Sequence, residues 1–356
     1  LPLYTLKDPA PETIMKNACL LLAALANFAT PALAAAPSYK LTKSVALGAP
    51  DAWDYVVFDA ASGRVFIGHS TETTIVDGTS GAIVGHFAGL NGAHGTAIDA
   101  KLGRGFADSG KDPSVTAFDL KTFQPIAGGK ITTPEDTDGM GFDPSSGHVF
   151  TMNGDAGSAS IIDPATAKLV VNIPLDGKPE YADADGHGHI YANIEDKGQL
   201  AVIDTATNKV TAHWPLPGCT SPHGLAVDGA GRRVFSSCAN GKLMVVNADS
   251  GAIVASFPIG LGSDAVAYDP VRHRVFSSNG SGTLSVIVQN SADSYDAPVE
   301  IPTTRGARTM AVDPKSGRIF LVAADYVEDP TVPVTNRRHY KVVPGTARLM
   351  LLDPAS

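Results

Sequence analysis

The chain has 356 residues, 44% of them hydrophobic, with 36 glycines, 25 prolines and a formal charge of −9 at pH 7. That is enough apolar material for one large domain or two, in a chain broken by many turns. The acidic balance excludes broad binding to a nucleic-acid backbone, which needs clustered lysine and arginine.

In chain order, residues 1–14 (LPLYTLKDPAPETI) carry no pattern and read as an upstream, non-native segment. Residues 15–34 have the layout of a secretory signal peptide: basic Met15-Lys16, an apolar run from Ala18 to Leu25, and a small-residue cleavage site, Ala32-Leu33-Ala34. The apolar run is too short to span a bilayer. A periplasmic or secreted protein is therefore expected, with no transmembrane segment. Cys19 falls inside the signal, which leaves Cys219 and Cys238. In an oxidising compartment this pair is expected to form a disulfide, against the alternatives of free thiols or a metal pair.

From residue 35 to 356 one unit recurs every 40–44 residues: an apolar strand ending in Asp, a turn, then Val-Phe or its equivalent. The Val-Phe pairs are Val65-Phe66, Gly105-Phe106, Val149-Phe150, Ile190-Tyr191, Val234-Phe235, Val275-Phe276 and Ile319-Phe320. A second unit follows most of them, as in TTIVDGTSGAIV and MVVNADSGAIV. Each repeat thus holds four short strands, one blade of a β-propeller, and seven repeats predict a single all-β, seven-bladed domain. The last repeat lacks a fourth strand. YKLTKSVALG, Tyr39 to Gly48, is expected to supply it and close the ring.

VIDTATNKV, the repeated RVF strands and the forty-odd-residue period resemble the YVTN-repeat β-propeller family of exported, YncE-like bacterial proteins. The resemblance covers residues 39–353 and implies the propeller fold. It implies little about activity.

Aligning the repeats on the Asp that ends each first strand exposes a column five residues earlier: Asp54, His94, Asp138, Glu180, His223, Asp264 and Arg308. Every member is ionisable. The first strand of a propeller blade lines the central channel, so the column predicts a ring of four carboxylates, two histidines and an arginine at a channel mouth. Crowded carboxylates raise one another's pKa, and Arg308 or a bound cation offsets this. His94 and His223 come from blades two and five and are candidate ligands for a divalent metal. They reach one ion only if the mouth is narrow.

Blade seven carries an insertion from Ala323 to Ala347, expected to open on the ring's face as a lid bearing Arg337, Arg338 and His339. His187 and His189 sit two apart on the opposite face, as a strand-borne metal pair would. No Gly-x-Ser-x-Gly or His-Glu-x-x-His occurs, so no catalytic residue is identified. The reading is a monomeric exported binding module that captures a small ligand, a metal ion or an envelope-protein segment. The alternatives are a hydrolase, lyase or lactonase with His94 or His223 as base and Arg308 holding an anion, and an envelope scaffold. Pairing Val227 with Val234 in strict register would place His223 opposite Cys238.

Overall fold

The computed structural model describes residues 36–333 and 339–355. The expected signal peptide, Cys19, Arg337 and Arg338 lie outside the described residues. Within them every regular element is a strand, and no helix is long and apolar enough to cross a membrane.

Seven sheets of antiparallel strands form the blades, and each innermost strand packs against the next, the seventh returning to the first. The innermost strands are Val56–Asp59, Thr96–Asp99, Thr137–Asp143, Pro179–Ala184, Pro222–Asp228, Ser263–Asp269 and Met310–Val312. Blade one merges its second and third strands into one, Arg64–Asp77, whose halves pair with different neighbours. Blade seven is completed from the other end of the chain, where Tyr39–Ala46 pairs with Arg348–Pro354. That outermost strand is the expected ring closure.

The repeat is legible as physics. Each first-strand Asp turns back to hold the hairpin that follows it. Asp59, for instance, accepts the N–H groups of Ala61 and Ser62, and Asp269 those of Val271 and Arg272. The aromatic residue of each Val-Phe pair is at most 1% exposed. Seven apolar clusters each bridge two neighbouring blades, including one that joins Val65 and Ile67 to Phe320 and Leu351. Burying one such aromatic contributes about 1.5–3 kcal/mol, so the blade interfaces are the core.

Near the ring the blades approach closely, and glycine permits it. A Cβ on Gly68 would fall 2.1 Å from the His94 carbonyl oxygen, and one on Gly224 2.6 Å from the Ala265 backbone.

Cys219 and Cys238 form the disulfide, with Cα atoms 5.4 Å apart. It ties the loop entering blade five to that blade's second strand. Replacing both cysteines with alanine is expected to lower stability by about 3 kcal/mol in urea denaturation, because the loop entropy of the unfolded chain is restored. An unchanged midpoint would contradict that role.

Candidate functional site

The ring column meets the sheet at a local irregularity that strict register does not anticipate. In blades three to five two first-strand residues oppose one on the second strand. Asp138-Gly139 faces Met152, Glu180-Tyr181 faces Asn193, and His223-Gly224 faces Ser237. In blade six Asp264 is the extra residue. Each is a β-bulge, a device that bends a strand and re-aims a side chain. The ring residue comes first in all four. The bulge also corrects the expected pairing: Pro222, not His223, lies opposite Cys238.

Backbone contacts then join ring positions of different blades. Tyr55 N donates to the His94 carbonyl at 3.1 Å and Asp264 N to that of Arg308 at 3.3 Å. The Thr309 hydroxyl donates to the Asp54 carbonyl at 2.8 Å, closing the circle between blades seven and one. A column on the second strands supports these contacts from inside the sheets. Asn193 donates to the carbonyls of His223 and Gly224, and Ser278 to that of Arg308. Asp108, fully buried, accepts the N–H groups of His94 and Gly95 at 2.9 and 2.8 Å.

The ring side chains are gathered but keep access to solvent: His94, Asp138, His223 and Asp264 retain 17–24% of their side-chain surface. Their pairing is uneven. On blades five to seven, Asp264 bridges His223 Nδ1, at 2.9 Å, and Arg308, with which it forms a close ion pair. His223 Nε2 lies 3.3 Å from Glu195. On blade two, His94 Nδ1 lies 3.0 Å from the Thr137 carbonyl, 3.3 Å from Asp108 and 3.6 Å from Asp138.

These contacts set the charges. Burial opposes protonation of His94, but Asp108, Asp138 and Asp54 outweigh it and raise its pKa to about 10. His223 is also raised: burial works against this, and Asp264, Glu180 and Glu195 prevail. Burial moves the carboxylates upward too. Asp54 rises to about 6, with Arg308 and His94 pulling against the shift. Glu180 rises to about 7, with His223 opposing and Glu195 and Asp264 reinforcing. Asp138 is pushed well above the carboxylate range, by burial first and then by Asp54 and Glu180.

The residue after each ring member forms a floor. Gly95, Gly139, Gly224, Ala265 and Thr309 are small, whereas Tyr55 and Tyr181 are large and come from blades one and four. Their rings meet across the axis with centroids 4.7 Å apart. The charged ring thus stands next to an aromatic contact between blades one and four.

The structure brings all seven column residues into one electrostatic neighbourhood. Among the described residues no group of three or more His, Cys, Asp or Glu side chains is placed to hold a metal ion, and the candidates His94 and His223 contact different carboxylates, Asp108 and Asp138 on one side and Asp264 and Glu195 on the other. His189 instead contacts Asp185, which also binds Arg232. The insertion rises from the ring's face. Tyr326–Glu328 pairs with Tyr340–Val342, Tyr326 covers Gly306, and Arg305 stacks 3.9 Å from the Tyr340 centroid. His339 is buried within the insertion, with Nδ1 2.7 Å from the Val332 carbonyl. It holds the insertion's own fold. A separate cleft of about 600 Å³ lies at the Asp turns of the other face, lined by Phe58, Val271 and Asp313, and shares no residue with the ring.

Reading the ring column alone misses Asp108, Glu195, Tyr55 and Tyr181. Asp108 had a signal, a charge inside the otherwise buried strand RGFADS. Tyr55 and Tyr181 had none, because their meeting depends on ring closure.

No protein-family model matches the chain, and no curated relative matches it in sequence. Two solved structures are similar in fold. A chain of the Kuenenia stuttgartiensis hydrazine synthase aligns with a TM-score of 0.66 at 14% identity, covering 76% of this chain and 92% of that one. A chain of a mitotic checkpoint complex aligns with a TM-score of 0.71 at 11% identity, covering 95% and 99%. At such identities the likeness is one of fold, and with the blade count it makes this chain a seven-bladed β-propeller.

Proposed function

We propose that the chain is an exported propeller of the YVTN-repeat kind that works as a binding module, capturing a small ligand at its channel mouth. The observation that carries this reading is the set of β-bulges at the ring residues of blades three to six, whose gathered side chains keep part of their surface open to solvent. A sheet irregularity repeated at the same position in four blades is a local cost to strand pairing, and bulges of this kind recur beside functional sites. The signal-like segment and the disulfide support export.

The enzyme alternative is weaker, because a histidine with a pKa near 10 is already protonated at neutral pH and donates rather than accepts a proton. His94 therefore orders carboxylates better than it activates a nucleophile. His223 is shifted the same way.

The test compares the wild type with His94→Gln/His223→Gln/Arg308→Gln after incubation with a bacterial envelope extract, read by native mass spectrometry. A low-mass ligand retained by the wild type and lost from the folded variant is expected. Equal retention, or no ligand on either, would remove the channel mouth as the binding site.

A further inference from the structure

The seven ring residues are not held alike. Asp138, Glu180, His223 and Asp264 lie inside innermost strands of six or seven residues, so the sheets carry them. Asp54, His94 and Arg308 lie ahead of strands of only three or four residues, Val56–Asp59, Thr96–Asp99 and Met310–Val312. On blades seven, one and two the ring therefore stands on chain that has not yet joined the regular ladder.

These three segments bond to one another and to side chains. The Tyr55 N–H donates to the His94 carbonyl, and the Thr309 hydroxyl to the Asp54 carbonyl. At the blade-seven end the Arg308 carbonyl accepts from the Asp264 N–H and the Ser278 hydroxyl. At the blade-two end a side chain, Asp108, takes the N–H groups of His94 and Gly95, where a ladder would offer backbone carbonyls. Asp54 and Tyr55 keep one ladder pair, with Gly68.

The blade-seven insertion is seated on the same segments. Asp51, close ahead of Asp54, accepts the N–H groups of Gly345 and Ala347 at 2.7 and 3.2 Å. Tyr326 packs on Gly306, just before Arg308, so closely that a Cβ there would fall 2.5 Å from its phenol oxygen. Elements that open locally are those with few ladder hydrogen bonds of their own, and they open together when their remaining contacts are to each other.

We propose that the Arg308–Thr309, Asp54–Tyr55 and His94–Gly95 segments form one movable arc of the channel mouth, latched by Asp108 and carrying the insertion, while the ring residues of blades three to six stay fixed in their sheets. The inference rests on the binding-module reading above, since an arc that swings outward admits a ligand that the closed mouth retains.

The experiment is amide hydrogen exchange of the full chain, resolved by residue with NMR, for the wild type, Asp108→Asn and Thr309→Val. Asparagine keeps an acceptor oxygen for the two N–H groups but weakens the latch, and valine removes only the hydroxyl link to Asp54. The buried Phe66 and Phe150 report global unfolding. The Tyr55 and Asp264 N–H groups bond to His94 and Arg308, not to Asp108. In both variants their exchange should nevertheless accelerate at least about tenfold beyond any change at Phe66 and Phe150. Acceleration confined to His94 and Gly95 would reduce Asp108 to a local contact and overturn the arc. An equal acceleration along Thr137–Asp143 and Pro222–Asp228 would overturn it as well, as would unchanged exchange at Tyr55 and Asp264 in either variant. The readout involves no ligand, so its failure is distinct from failure of the ligand-capture reading.

Discussion

Replacing Asp108 with alanine is expected to destabilise the protein by about 3–5 kcal/mol, the scale for breaking one partner of a buried charged pair. Asp108 sits inside blade two with no exposed surface, and one of its oxygens receives the N–H groups of both His94 and Gly95. Its other oxygen lies 3.3 Å from the His94 ring. Alanine removes all of these at once, stranding two backbone donors and the imidazolium. Asparagine keeps an oxygen for the backbone but drops the charge, so Asp108→Asn should cost less while lowering the pKa of His94 from about 10 by more than one unit. Urea denaturation measures the first effect and a histidine NMR titration the second. A loss below about 1 kcal/mol for the alanine variant, with His94 unmoved in the asparagine variant, would show that Asp108 does not organise the ring.

The second large effect is on pH dependence. A carboxylate whose pKa is raised in the folded state binds more protons there than in the unfolded chain. Its contribution is most favourable below the unfolded value and is lost as pH rises through the folded one. Glu180 is raised from 4.5 to about 7 and Asp54 from 3.8 to about 6, so stability should fall between pH 4.5 and 7.5. His94, raised from 6.5 to about 10, adds to the fall only above about pH 6.5, where the unfolded histidine loses its proton and the folded one keeps it. Turn carboxylates act oppositely and at lower pH. Asp77, Asp119 and Asp204 are lowered chiefly by hydrogen bonds from Ser80, Thr122 and Thr207, and they lose stability only in acid. Glu180→Gln should flatten the decline by about 3 kcal/mol across the window, since one pKa unit corresponds to about 1.4 kcal/mol. Urea titrations of both proteins at several pH values measure this. Parallel curves for the two would contradict it.

How much of this was legible beforehand depended on whether the signal is local. The turn Asp and the Val-Phe core pair act within one hairpin, so they recur at fixed spacing and reveal seven blades. The ring column is equally local, lying five residues before the turn Asp, and all seven members were readable from it. The bulges were not, because an extra residue in a strand leaves no mark in its composition. Strict register therefore set His223 against Cys238, where the structure sets Pro222. Glu195 and Tyr181 escaped notice for a different reason. Glu195 reaches His223 from the neighbouring blade, and Tyr181 meets Tyr55 from the far side of the ring. Such contacts exist only once the propeller closes.

The central claim is that Asp54, Asp138 and Glu180 share one half-buried electrostatic neighbourhood at the channel mouth. A ¹³C NMR titration of the side-chain carboxyl carbons of Glu180 and Asp54 in the unliganded protein tests it most directly. The account predicts midpoints near 7 and near 6. Midpoints of ordinary glutamate and aspartate, near 4, would mean that these carboxylates are solvated and independent, and would contradict it.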